Sequence, residues 1–107
     1  MAKDSLGELE HQILLALLRL GGESYSVPLV LELEECTGRE VAQAAVFIIL
    51  TRLEEKGLLT SRYDQGPGEI GRIRRYFRVT SKAVKRLRET RRELNALWDG
   101  LGRVLET

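Results

Sequence analysis

Between Leu58 and Val79 the sequence changes period. In the stretch RIRRYFRV, from Arg72 to Val79, Ile73, Phe77 and Val79 fall on one parity and Arg74, Tyr76 and Arg78 on the other, with only Arg75 out of pattern. A two-residue period is that of a strand. Leu58 to Tyr63 reads as a first arm and Gly66-Pro67-Gly68 as a turn, so the stretch predicts a β-hairpin. The tip, Gly66 to Gly71, also spells G-x-G-x-x-G. That pattern cradles a pyrophosphate only where a strand leads in and a helix begins inside it, and here a strand follows the glycines. A hairpin loaded with arginine, flanked on both sides by helical patterns, makes the fold class mainly α (α+β).

Three helical patterns precede the hairpin. In the first, about Leu6 to Leu20, a stripe of Leu6, Leu9, Ile13, Leu17 and Leu20 is widened by Leu14 and Leu18, and Gly21-Gly22 ends it. Ser24 or Ser26 can cap a second helix reaching about Cys36, with Pro28 tolerated in its first turn and Gly38 as a stop. Its expected apolar side is Val30 and Leu33 with Val27 and Leu31, leaving Glu32, Glu34 and Glu35 to solvent. The third, about Ala42 to Lys56, carries Val46, Ile49, Leu50 and Leu53 and stops at Gly57. After the hairpin Thr80 caps a long helical pattern in which Val84, Arg91, Trp98 and Leu105 lie seven apart, with Leu87, Leu94 and Leu101 between them. This is a heptad seam. Gly100 and Gly102 weaken its last turns.

A chain of 107 residues makes one domain with a small core. The only cysteine, Cys36, cannot form an internal disulfide, and MAKDSLGELE carries charge where a signal peptide needs an apolar run. The longest apolar run, Ile13 to Leu18, is far short of the roughly 20 residues that span a bilayer. These features predict a cytoplasmic protein without a membrane span. Net charge is only +1, but residues 62 to 92 hold 11 Lys and Arg against 3 Asp and Glu, while residues 1 to 61 hold 5 against 10. Such asymmetry fits either a polyanionic partner or a solvated hairpin and helix face.

Catalytic and metal chemistry find little support. His11 has no second ligand at metal spacing, and Cys36 has no base nearby and is expected to be a small buried hydrophobe. Glu54 and Glu55 are adjacent on a helix, point about 100° apart and read as solvated surface. The expectation is no enzyme, no cofactor and no metal.

Three helices followed by a two-stranded hairpin is the order of a winged helix-turn-helix, with the third helix in the major groove and the hairpin as the wing. The stretches LGELEHQILLALLRLGGESYSVPLVLELEECTG, AVFIILTRLEEKGLL and GEIGRIRRYFRVT, with the basic helix after them, together resemble the PadR-like transcriptional regulators over nearly the whole chain. That resemblance implies a homodimeric bacterial repressor on pseudo-palindromic, double-stranded DNA, with the C-terminal helix as dimer element. In some relatives it also implies a small-molecule effector. Residues 1–80 then form the DNA-binding unit and 81–107 a C-terminal dimerisation helix, together one compact body.

This sequence departs from relatives that carry Ser or Thr at the start of the recognition helix and Tyr within it. It has Ala42, Ala44 and Ala45, with Phe47 in the tyrosine's place. Base contact is left to Gln43, Thr51 and methyl groups such as that of Ala44. Gln43 is either a groove contact or a solvated first-turn residue, and Phe47 either packs or touches DNA. Arg72, Arg74 and Arg75 are the expected phosphate or minor-groove contacts. Leu6, Leu9, Leu87, Leu94, Trp98, Leu101 and Leu105 are the expected dimer contacts, Trp98 serving interface packing or effector stacking. The alternative function is a winged-helix protein-protein interaction module without specific DNA binding.

Overall fold

A computed structural model describes residues 6–65 and 73–106. Four helices and three strands follow in the order α1 (Glu8–Arg19), β1 (Glu23–Ser24), α2 (Ser26–Thr37), α3 (Gln43–Glu55), β2 (Leu59–Asp64), β3 (Arg74–Val79) and α4 (Ser81–Trp98), with a short 3-10 segment at Gly102–Glu106. The hairpin is therefore not a lone pair of strands. Its return arm β3 lies between β2 and the two-residue β1 in an antiparallel sheet of order β1-β3-β2. β1 gives the wing a third strand and a second ladder, with Ser24 opposite Phe77 and Glu23 opposite Arg78.

Side-chain and backbone devices set several of the helix ends. The Glu10 carboxylate accepts the Gly7 amide at 2.8 Å, opening α1, and takes the Lys56 ammonium at 2.9 Å. Glu10 is thus buried, and ties the start of α1 to the end of α3. No serine caps α2: Tyr25 occupies the cap position without a side-chain bond, Ser24 lies in β1, and Ser26 is the first helical residue. Its buried pair is Leu29 and Leu33, while Val27 and Leu31 are exposed. The segment is apolar on several sides, and docking against α1 and α3 chooses the phase. Gly38 ends α2 at φ 71°, a left-handed conformation that costs glycine little. Thr80 caps α4, its hydroxyl accepting Ala83 N at 3.2 Å and donating to Gly57 O at 2.9 Å.

The core gathers Ile13, Leu14 and Leu17 of α1, Leu50 and Leu53 of α3, and Phe77 of β3, each fully buried. Ala83 and Leu87 close it from α4. Beyond that point α4 leaves the domain, and every residue from Arg91 to Glu106 is exposed. The continuous heptad helix of the sequence pattern ends early: Asp99 turns to ψ 128°, Gly100 follows at φ 82°, and Leu101 and Leu105 lie past the helix. Two glycines in three residues cost too much helix propensity for an end with no packing to hold it.

Two further expectations change. Cys36 is exposed, not buried, and its thiol donates to Glu32 Oε2 at 3.4 Å, the oxygen that also receives Arg19 Nε at 2.6 Å. Partial desolvation of the sulfur by its neighbours and the bond to Glu32 raise the thiol pKa. Glu54 is half-buried and bonded on both oxygens, not solvated.

Candidate nucleic-acid interface

Helix α3 turns Val46, Leu50 and Leu53 into the core. At 100° per residue the opposite side is centred on Ala44, Ile48, Thr51 and Glu55. Ala44 is exposed and Ile48 retains 54% of its surface. The Thr51 hydroxyl is spent on Ile48 O at 2.8 Å. Gln43, at the first helical position, donates from Nε2 to Ser26 Oγ at 3.0 Å, a tie between α3 and the start of α2. Phe47 looks towards the wing: its ring meets Phe77 edge-on at 6.0 Å, yet 41% of the residue stays exposed. It therefore packs and still presents a surface.

The wing register divides its side chains by face. Leu59 opposite Val79, Ser61 opposite Phe77 and Tyr63 opposite Arg75 share the inner face. Arg75, the residue out of pattern in the sequence, thus belongs to the inner row. Its Nη2 donates to Glu54 Oε1 at 2.6 Å and its Nε to Ser61 Oγ at 3.1 Å, while the guanidinium lies 4.9 Å from the Phe77 ring centre and 5.7 Å from that of Phe47. A cation here bridges the recognition helix and the wing. On the outer face Arg62 pairs with Glu23 at 3.0 Å and with Asp64 at 2.7 Å. Those bonds push the Arg62 pKa upward, and the Arg62 bond holds Glu23 below its ordinary carboxylate value. Arg74 stacks over Tyr25 at 4.5 Å. Arg72 lies outside the described residues, as does the Gly66 to Gly71 tip.

Between the start of α2, α3 and β3 runs a groove of about 490 Å³, lined by Tyr25, Ser26, Gln43, Phe47, Ile73 and Arg74 among others. Sequence reasoning missed several parts of this surface. Tyr25 follows a strand too short to pattern, and Glu54 is an unremarkable helix carboxylate until β3 is folded against it. Ile48 was readable, because Ala44 and Ile48 share a face at a spacing of four residues.

The expected dimer residues divide into two groups. Leu6, Leu9 and Leu87 pack on or within the domain's own core. Leu94, Trp98, Leu101 and Leu105 are exposed, Trp98 by 49%. A second groove of about 480 Å³ separates α1 from α4, with Leu15, Leu18, Val84, Leu94 and Trp98 as apolar lining and His11, Arg88, Arg91 and Asn95 at its polar positions. Among the described residues no group of three or more His, Cys, Asp or Glu could hold a metal, and no helix is long and apolar enough to cross a membrane.

Known structures share this frame. A PadR family transcriptional regulator from Eggerthella lenta DSM 2243 is 32% identical over 94% of this chain and 88% of its own, with a TM-score of 0.69. A PadR-like transcriptional regulator from Bacillus cereus superposes with a TM-score of 0.73 at 20% identity, over 92% of each chain. The organohalide-sensing transcriptional regulator RdhR, in its 2,4-dichlorophenol-bound form, gives a TM-score of 0.67 at 21% identity over 90% of this chain and 51% of its own. No functionally curated protein matches. The model of the transcriptional regulator PadR-like family matches residues 14–89, from the core of α1 to the first half of α4. With the winged fold in place around those residues, the chain belongs to the PadR-like family of transcriptional regulators, a family of DNA-binding proteins and not of enzymes.

Proposed function

We propose that this chain is a cytoplasmic, homodimeric repressor that binds duplex DNA at an inverted repeat. The observation that carries the reading is the side of α3 turned away from the core: Ala44 and Ile48 are exposed there, with Thr51 half-buried beside them, next to a wing that carries Arg74 and Arg78. A helix of this length fits a major groove roughly 12 Å wide, and the wing reaches the flanking backbone. In this reading Gln43, Ala44, Phe47 and Thr51 face the bases, and Arg72 and Arg74 meet phosphates. Arg75 is assigned to bracing the wing against α3. The second copy covers Leu94, Trp98, Leu101 and Leu105, with Leu6 and Leu9 at the edge and Leu87 supporting the helix from beneath. The groove between α1 and α4 offers a place for a small apolar effector.

The test is fluorescence anisotropy with the DNA upstream of the protein's own gene against a random duplex of equal length, across a salt series. A regulator binds the upstream DNA selectively, protects two half-sites about one helical turn apart, and loses affinity as salt rises. Equal, salt-insensitive binding of both duplexes, with copurification of a non-identical protein, would instead support the interaction-module alternative.

A further inference from the structure

We infer that the outward face of α3 reads the C5-methyl groups of thymine, with Ile48 as the specificity-determining side chain. The inference rests on the proposed DNA binding and states what the recognition helix recognises.

Three observations lead to it. The face is apolar where it projects furthest, with Ala44 and Ile48 one turn apart and Ile48 54% exposed. Polar groups around it are committed within the protein: the Thr51 hydroxyl bonds Ile48 O, and a Gln43 amide hydrogen bonds Ser26 Oγ. The first two turns, Gln43 to Leu50, contain no charged residue, and the charge that follows on this side is the Arg52 and Glu55 pair of opposite sign. The first two turns of this face, with no cation and no hydroxyl, have little with which to pair to guanine O6 and N7. The only apolar group that a base edge presents in the major groove is the thymine methyl. Ala44 and Ala45 are small enough to let the helix backbone approach, so the longer Ile48 side chain reaches the groove floor first. Glu55, at the far end of the same face, is repelled by phosphate and favours entry by the N-terminal turns.

Phosphate charge must therefore be met elsewhere on the chain, and Ile48 contributes discrimination without salt dependence. A covered methyl group transfers from water with a gain equivalent to about a fourfold change in affinity. Two half-sites in a dimer multiply that preference.

The experiment compares four duplexes of equal length at fixed salt by fluorescence anisotropy: alternating A·T, the same duplex with uracil for thymine, and alternating G·C without and with 5-methylcytosine. Charge is identical throughout, and within each pair only the methyl group changes. The parent protein is expected to bind the thymine duplex at least about fourfold more tightly than the uracil duplex, and 5-methylcytosine to strengthen binding to the G·C duplex. Ile48→Ala, on an exposed site, is expected to lose most of both preferences with an unchanged salt slope, and Ile48→Val to keep most of them. Equal binding of thymine and uracil duplexes by the parent overturns the inference and leaves the proposed function standing. So does an Ile48→Ala protein that loses affinity for both duplexes by one factor. Failure of the parent to bind these duplexes and its own upstream DNA overturns the proposed function itself.

Discussion

Arg75→Ala tests whether the wing arginine is a brace or a phosphate contact. The side chain is three-quarters covered and makes an ion pair with Glu54 at 2.6 Å, a hydrogen bond to Ser61 at 3.1 Å and ring contacts with Phe77, Phe47 and Tyr63. A mostly covered but still solvent-touched ion pair contributes about 0.5–1 kcal/mol. One guanidinium over aromatic faces adds about 0.5–1 kcal/mol, counted once because a single cation is shared. The variant is therefore expected to lose about 1–2 kcal/mol, which for a domain near this size lowers Tm by roughly 5–15 °C. Thermal denaturation followed by circular dichroism without DNA measures it. In a double-mutant cycle with Glu54→Gln the two residues should couple by at least about 0.5 kcal/mol. A charge-swapped pair, Glu54→Arg with Arg75→Glu, should recover part of the loss. If Arg75→Ala melts with the parent and instead flattens the salt slope of DNA binding by about one per chain, the residue meets phosphate and the brace is refuted.

Other perturbations follow from the same contacts. Lys56→Met leaves the buried Glu10 carboxylate with the Gly7 amide as its hydrogen-bond donor among the described residues, and should cost about 2–3 kcal/mol in urea denaturation, part of it recovered by adding Glu10→Gln. Burial alone would raise the Glu10 pKa, but the Gly7 amide, the Lys56 ammonium and the Arg52 charge outweigh it and hold it below 4.5. A carboxylate depressed in the folded state stabilises above its unfolded pKa, so that contribution should be present at neutral pH and disappear as pH falls below 4.5; Glu10→Gln should flatten this acid limb, and an unchanged acid limb would show that Glu10 is not its source. Thr80→Ala removes the α4 cap and its bond to Gly57 and is expected to destabilise by about 1 kcal/mol, read from the denaturation midpoint. Leu94→Asp with Leu101→Asp, both on exposed positions, should give a folded monomer by sedimentation; a folded dimer would place the interface elsewhere.

Local signals were sufficient for much of the architecture. The start of α4 at Thr80, the end of α2 at Gly38 and the change from helical to strand period at the wing were legible because each depends on neighbours within a turn or a hairpin. The order of those elements also carried the family resemblance. Candidate interface residues were legible by type but not by role: Gln43, Phe47 and Arg75 stood out, whereas their partners did not.

Tertiary structure alone decided the rest, and in each case the deciding partner is distant in the chain. Period could not place α2, whose valines and leucines surround the helix; docking against α1 and α3 selected Leu29 and Leu33. A two-residue strand has no period to read, so β1 exists only through its ladder with β3. Arg75 reads in the sequence as a phosphate or minor-groove contact, and only folding brings Glu54, 21 residues earlier, against its guanidinium. Nothing in the local sequence marks Glu10 of α1 for burial, and it is Lys56, 46 residues later, that pairs with its carboxylate. A sequence states which side chains are charged or apolar, but whether a charge is offered to a partner or spent within the protein depends on what long-range packing places beside it.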